Sequence, residues 1–324
     1  MNGEMVLNKM TMGNDDVITK AEAEQCRHRL EKRWHRRLIE LNIVIIAVVI
    51  CVFVSHFGNY TKKAKDMINE GIQTISDTLE GKTNSSTEEK ESGSHDDGNI
   101  PWDVKAVIMG IGGIFGIYIY MTYMYAKNKA SALKITEQNF PEVYAIVCEQ
   151  ARKLGMKKVP ELYVIQANGV LNAFSTFCLS KQYITVNAEI FEVAYREHHD
   201  IESLSFIIAH EMSHIYFGHA KLMYNLGILF SNALPVFGTT ASRAREYSCD
   251  RLAQRITGCD GIDSMFMLMV DRHIYKMVDK EDYIKSAEEQ KGFFLWVSNL
   301  LADHPVACKR IPALAMGEGS GKLY

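Results

Sequence analysis

The stretch LSFIIAHEMSHIYFGHA, residues 204–220, decides how the rest of the chain is read. Apolar side chains fill both sides of it, at Leu204, Phe206, Ile207, Ile208, Ala209, Ile215, Tyr216 and Phe217, with no proline and one glycine, at 218. That density over this length predicts a buried helix. Positions four apart on a helix stand about 40° apart around its axis, so His210 and His214 present their imidazoles side by side. Two neutral imidazoles so placed suit one Zn²⁺ at about 2.0–2.1 Å each. Glu211 projects beside that metal rather than onto it, where a carboxylate takes a proton from the activated water and hands it to a leaving amine. The pattern is H-E-x-x-H, and its chemistry is peptide-bond hydrolysis. Ionisable groups inside an apolar helix are costly unless paired or metal-bound, which favours the metal over an accidental match. His219 falls about 180° from His210 on a continued helix, so it is read as a structural or helix-terminal histidine that cannot share the metal.

Two histidines leave a tetrahedral zinc short of one protein ligand and one water. The best third ligand lies on SRAREYSCDRLAQRITG, residues 242–258, where Glu246 and Asp250 share a helix face. Glu246 would bind the metal. Asp250 would accept a hydrogen bond from a ligand imidazole and fix its tautomer and orientation. Elsewhere such a pair is an ordinary solvated helix face; downstream of H-E-x-x-H it gains meaning. Cys249, between them, is not expected to be a ligand.

The 324 residues suffice for one sizeable domain with accessory segments. A net charge of −3 argues for neither nucleic acid nor a strongly acidic substrate. The seven cysteines are odd in number, scattered and lack C-x-x-C pairing, so they are read as reduced thiols of a cytosol-facing protein. Six Arg and Lys crowd residues 27–37, just ahead of an apolar run at 38–57. A second run, 104–126, carries 21 consecutive uncharged residues after Lys105, with small glycines and a cluster of tyrosines toward its end. Both read as transmembrane helices. The segment between them, 58–103, holds ten acidic and five basic residues. Its first part suggests a short amphipathic helix through Ile68, Ile72, Ile75 and Leu79, and its second part, 81–99, reads as disordered. The basic bias places the N-terminus and everything after residue 126 in the cytoplasm, and the loop outside.

Past residue 130 the patterning predicts a helix at 140–154 and short strands at 160–165 and 183–186. Further helices are expected at 242–257, 263–278, 286–302 and 305–316. Asp200 is the expected N-cap of the histidine helix. Residues 222–237, apolar but interrupted by Asn225, Ser231, Asn232 and Pro235, are expected to form a helix packed on the domain or dipping into the interface.

The motifs HEMSHIYFGH (210–219), SRAREYSCD (242–250), NAFS (172–175) and DHPVACKRI (303–311) resemble those of HtpX-type and CAAX-prenyl-endopeptidase-type membrane zinc metallopeptidases, over roughly residues 135–316. The resemblance implies His210, His214 and Glu246 as ligands of one zinc per chain, Glu211 as catalytic base and Asp250 behind the ligands. It further implies His304 as a donor to the oxyanion, supported by Arg310. An edge strand through Asn172, Ala173 and Phe174 would pair with an extended polypeptide. One departure stands out. HtpX proteins insert two more spans between the two motifs, whereas 31 residues separate His214 from Glu246 here, too few for two spans and their turn.

The expected fold is mainly α with a small β-sheet, an α+β gluzincin metallopeptidase domain preceded by two N-terminal transmembrane helices. Its expected segments are a basic cytoplasmic N-terminal segment (1–37), span 1 (38–57), an extracytoplasmic loop (58–103), span 2 (104–126), the metallopeptidase domain (130–316) and a tail (317–324). The expected function is a membrane-anchored zinc endopeptidase in a cell or inner membrane, its catalytic domain facing the cytoplasm. Its partners would be a polypeptide substrate and the lipid bilayer, with no nucleic acid. The alternative is a zinc-binding membrane scaffold without protease activity.

Overall fold

The computed structural model describes residues 16–79, 102–167, 172–178, 181–270, 273–317 and 321–324. The chain divides into two compact units, Met1–Asn42 with Met121–Tyr324, and Ile43–Tyr120. Among its described residues the second unit consists of parts of two helices, α2 (Glu31–Leu79) and α3 (Trp102–Ser131). Ile43, Val44, Val48, Val49, Ile50 and Val54 are exposed along α2. Among the described residues, Glu31–Ser55 is the helical segment long and apolar enough to cross a bilayer. Residues 104–126 lie inside α3, but several of their side chains fall outside the description. Among the described residues one of the two expected spans meets that criterion, and the second is not tested by them. The helix of the first span also runs on to Leu79, through the first part of the expected loop, and carries Ile68, Ile72 and Ile75 exposed on it. The stretch read as disordered, 81–99, lies outside the described residues.

The first unit is mainly helical around a four-stranded sheet. β1 (Leu133–Lys134), β2 (Glu161–Ile165), β3 (Ala173–Cys178) and β4 (Lys181–Asn187) are ordered β1-β2-β4-β3, with β2 and β4 parallel and the outer pairs antiparallel. Alternation along β4 decides its two faces. Ile184 and Val186 enter the main core with Leu162, while Tyr183 packs on the other face against Tyr163 and Tyr125. β3 pairs with β4 along one side, through Ala173–Val186 and Phe174–Thr185, and forms the sheet edge.

α4 (Pro141–Lys153) opens with proline, whose missing N–H costs nothing at a helix start, and buries Val143, Val147 and Ala151. A short α5 (Ala188–Glu192) leads to α6 (Ile201–Phe217), the histidine helix, which is buried on nearly every side. Asp200 caps α6 by accepting from Ser203 N at 3.0 Å, and also holds Lys276 Nζ at 2.6 Å and Tyr275 Oη at 2.9 Å. Burial opposes ionisation of Asp200, but Lys276, Ser203 and Tyr275 outweigh it and keep its pKa below the usual value. A depressed carboxylate stabilises the fold fully above the unfolded pKa of about 4 and loses that contribution as pH falls through the folded value. Asp200→Ala is expected to cost about 1–2 kcal/mol at pH 7 and less near pH 3, a difference readable in denaturant midpoints at the two pH values.

Between α6 and the next long helix lie α7 (Leu222–Leu226) and α8 (Leu229–Asn232), two short turns rather than the single helix expected over 222–237. Neither is long enough to cross a membrane. α9 (Phe237–Thr257) begins earlier than the expected 242 and ends at Gly258, whose φ of 76° suits glycine. α10 (Ile262–Met269) stops well short of the expected 278. The helix expected over 286–302 is two, α11 (Lys280–Glu289) and α12 (Phe293–Leu301), broken at Gly292 with φ 142°. α13 (Ala307–Met316) closes the fold.

Residues before the apolar helix belong to this unit. α1 (Lys20–Gln25) is capped reciprocally by Thr19 and Glu22, and Ile18 N donates to Lys153 O at 2.7 Å. The first turns of α2 bury Leu38 against Ile228 and Ala241. Asn42, an interruption in the apolar run, accepts from Phe230 N at 2.9 Å and Ser231 N at 3.3 Å. The far C-terminus is docked as well: Leu323 is buried, and its carbonyl accepts from Arg243 Nε and Asn299 Nδ2.

Candidate metal centre

α6 and α9 pack closely, and their facing turns build the site. One helical turn separates His210 from His214, and their Nε2 atoms lie 3.2 Å apart. Glu246 on α9 brings Oε2 to 3.4 Å from His210 Nε2 and Oε1 to 3.3 Å from His214 Nε2. These three residues form a buried group able to hold a metal ion. Donors about 2.0–2.1 Å from one tetrahedral zinc stand about 3.3–3.4 Å from each other, and the observed separations fit that spacing. Glu246 Oε2 is buried and accepts no well-aligned hydrogen bond, although His304 Nδ1 lies 2.8 Å away and Arg310 Nη2 3.3 Å. Two imidazoles and a carboxylate, one of whose oxygens is buried without a well-aligned partner, make a donor set that suits zinc.

The ring behind each donor is held in place. His210 Nδ1 donates to Asp250 Oδ1 at 2.9 Å, which leaves Nε2 facing the site. Arg310 grips Asp250 in two-pronged fashion, through Nε at 2.8 Å and Nη2 at 2.7 Å. Burial disfavours the Asp250 carboxylate, but Arg310 and His210 outweigh it and hold its pKa at about 2. Burial likewise opposes the Glu246 carboxylate, yet His210, His214 and His304 keep it well below the usual range. Burial lowers the His210 pKa, and the neighbouring Asp250 and Glu246 more than reverse that, to about 10. A proton there competes with any cation, so metal uptake releases it.

A cleft of about 210 Å³ opens beside these groups. It brings together His210, Glu211, Glu246, His304, Arg310, Asn172 and Ala173, all singled out in the sequence, with Phe206, Ile207, Met265 and Leu268 as apolar lining. His214 and Asp250 stand outside the lining, and Phe174 follows on β3 without reaching it. Glu211 is buried beside the first histidine. His304, with its side chain 68% exposed at the cleft, is raised in pKa by the Glu246 carboxylate.

The sequence reading missed a second layer. Helical geometry does not extend to His219: α6 ends at Phe217, and Gly218 (φ 80°) turns the chain back. His219 therefore sits with Nδ1 3.0 Å from His214 Nδ1. It still stands behind the ligand rather than in the site. Its Nε2 meets Glu31 Oε1 at 3.1 Å, 188 positions earlier in the chain. Glu31 is buried and also bonds to Arg27 and to Ser248 Oγ. Gly218, a typical helix stop, was the signal that His219 should not be placed by helical angle. Cys249 Sγ lies 3.7 Å from His219 Nδ1, and these two with His214 form a second group of metal-ligating type. Burial and the surrounding carboxylates push the Cys249 thiol pKa well up, so the thiol stays protonated.

A buried helix carrying H-E-x-x-H, a facing carboxylate one packing layer away and a cleft beside a sheet edge form the arrangement a metallopeptidase would need. Residues 137–231, under a third of the chain, match the model of peptidase family M48, which supports a metallopeptidase of that family. The matched residues include both histidines of α6 and end before Glu246. No curated protein matches the chain. Metallopeptidases of this family usually use zinc, and a peptidase implies a polypeptide substrate.

Proposed function

We propose that this chain is a membrane-anchored, zinc-dependent endopeptidase that cuts extended segments of membrane or misfolded proteins. The convergence of His210 Nε2, His214 Nε2 and the Glu246 carboxylate beside Glu211 carries the reading. Zinc held by those three side chains would supply Lewis acidity toward the scissile carbonyl and an acidified water. Glu211 accepts the proton from the attacking water and returns it to the leaving amine. The substrate backbone lies along the outer side of β3 at Asn172, Ala173 and Phe174, adding a strand to the sheet. Asp250, gripped by Arg310, keeps His210 in the tautomer whose Nε2 faces the site.

His304 stands at the cleft mouth and donates to the oxyanion as it forms, with Arg310 close behind. His304→Ala is expected to lower kcat by about 10²–10³-fold with KM and zinc content little changed. Steady-state kinetics beside metal analysis check this, and a loss of zinc instead would assign His304 to the metal.

The apolar segment Glu31–Ser55 supports the anchor, and residues 104–126 are proposed as the second span. With two short helices between the motifs, the cleft opens to the cytoplasm rather than into an enclosed membrane chamber, which disfavours prenyl-protein processing. The test is hydrolysis of casein by the detergent-purified full chain, stopped by a chelator and restored by zinc. One zinc per chain with no hydrolysis of casein or of unfolded membrane proteins would sink the reading in favour of a zinc-stabilised scaffold.

A further inference from the structure

The two histidines of α6 are each held by the second ring nitrogen, and by opposite ends of the chain. His210 Nδ1 is held by Asp250, which Arg310 grips. His214 Nδ1 meets His219, and His219 meets Glu31, the first residue of α2. We infer that Glu31, acting through His219, sets the tautomer of His214 and so orients its Nε2 toward the metal. The first turn of α2 is then a working part of the metal centre. This inference rests on the zinc-centre reading given above.

A neutral imidazole has one N–H and one lone pair. Two ring nitrogens 3.0 Å apart, as His214 Nδ1 and His219 Nδ1 are, form a hydrogen bond only if one carries the hydrogen and the other does not. An ionised carboxylate only accepts, so Glu31 Oε1 at 3.1 Å requires the hydrogen on His219 Nε2. His219 Nδ1 is then a lone pair, His214 Nδ1 carries the hydrogen, and His214 Nε2 is left with the lone pair that a cation held between it, Glu246 and His210 would take. Without Glu31, His219 is free to adopt the other tautomer. The hydrogen of His214 then falls on Nε2, where the metal would bind.

The carboxylate is itself fixed. Arg27 bonds to Glu31 and lies 4.0 Å over the Phe217 ring, at the last residue of α6. Ser248, on α9 between Glu246 and Asp250, bonds to Glu31 from the other side, and its Oγ accepts from His28 N at 2.8 Å. Every member of this chain is buried or nearly so, so no solvent competes for its hydrogen bonds. Glu31 is a positioning residue: it lies one full side chain away from any ligand.

The test is zinc affinity of the detergent-solubilised full chain, measured by competition with a chromophoric chelator. Glu31→Ala, His219→Phe and the double variant are compared with wild type, and thermal melting of each metal-free protein is followed in parallel. Each single variant is expected to bind zinc about 10–100-fold more weakly. The double variant is expected to be no weaker than His219→Phe alone, because Glu31 acts through that ring. Unchanged affinity in Glu31→Ala with a lowered melting temperature would overturn the inference and leave a purely structural contact. Full additivity of the two losses would overturn it as well. If Glu31→Ala does not fold, Glu31→Gln serves, since its amide both donates and accepts and so permits either tautomer. A several-fold loss is expected there, and no loss overturns the inference. A wild-type chain that takes up no zinc sinks the metal-centre reading, and this one with it.

Discussion

Glu211→Gln is expected to lower kcat by about 10²–10⁴-fold while the protein keeps one zinc per chain. Glutamine keeps the shape of the side chain and loses its capacity to take a proton. Glu211 lines the cleft beside His210 and lies outside the group of three converging donors, so the metal set survives the change. A factor of about 10³ corresponds to about 4 kcal/mol of transition-state stabilisation, which is what a positioned general base supplies. Peptide hydrolysis measured beside elemental analysis of the same sample decides the point. Retained hydrolysis would remove Glu211 from the mechanism. Lost zinc would make it a ligand.

Glu246→Ala has a different signature, in which metal and stability fall together. The carboxylate is faced by His210, His214, His304 and Arg310, all within 3.4 Å. Its removal deletes one of the three proposed ligands and leaves buried donors without their acceptor. Stoichiometric zinc binding is expected to be lost, and the metal-free protein is expected to be destabilised by about 3–5 kcal/mol, as when one partner of a buried ion pair is removed. Metal analysis checks the first effect and denaturant unfolding of the metal-free variant the second. Chelation of the wild type should abolish activity without the second effect. A Glu246→Ala protein that still holds one zinc per chain would require another third ligand.

Much of the site is legible in the residues alone. The four-residue spacing of His210 and His214 on an apolar helix, the Asp200 cap, and the shared face of Glu246 and Asp250 are consequences of helical periodicity, which acts over a few residues. Gly258 as the stop of α9 and Pro141 as the start of α4 are equally local. Two elements differ from what periodicity predicts, one through a distant contact and one for a local reason. The stretch over 222–237 has enough apolar residues for one helix, but Asn42 draws off the N–H groups of Phe230 and Ser231 and the segment settles as two short turns. His219 was placed by an angle that applies only while a helix continues, and Gly218 ends it.

What the sequence determined by itself was the chemistry: two imidazoles and a carboxylate at spacings that suit one metal, with a base beside them. Tertiary structure alone decided that Glu246 meets both rings, that β3 forms the sheet edge at the cleft, and that Glu31 reaches His219 from 188 positions away. The reason is range. Periodicity and capping are settled between neighbours along the chain, whereas a contact across 188 residues exists only because α2, α6 and α9 bury their faces together.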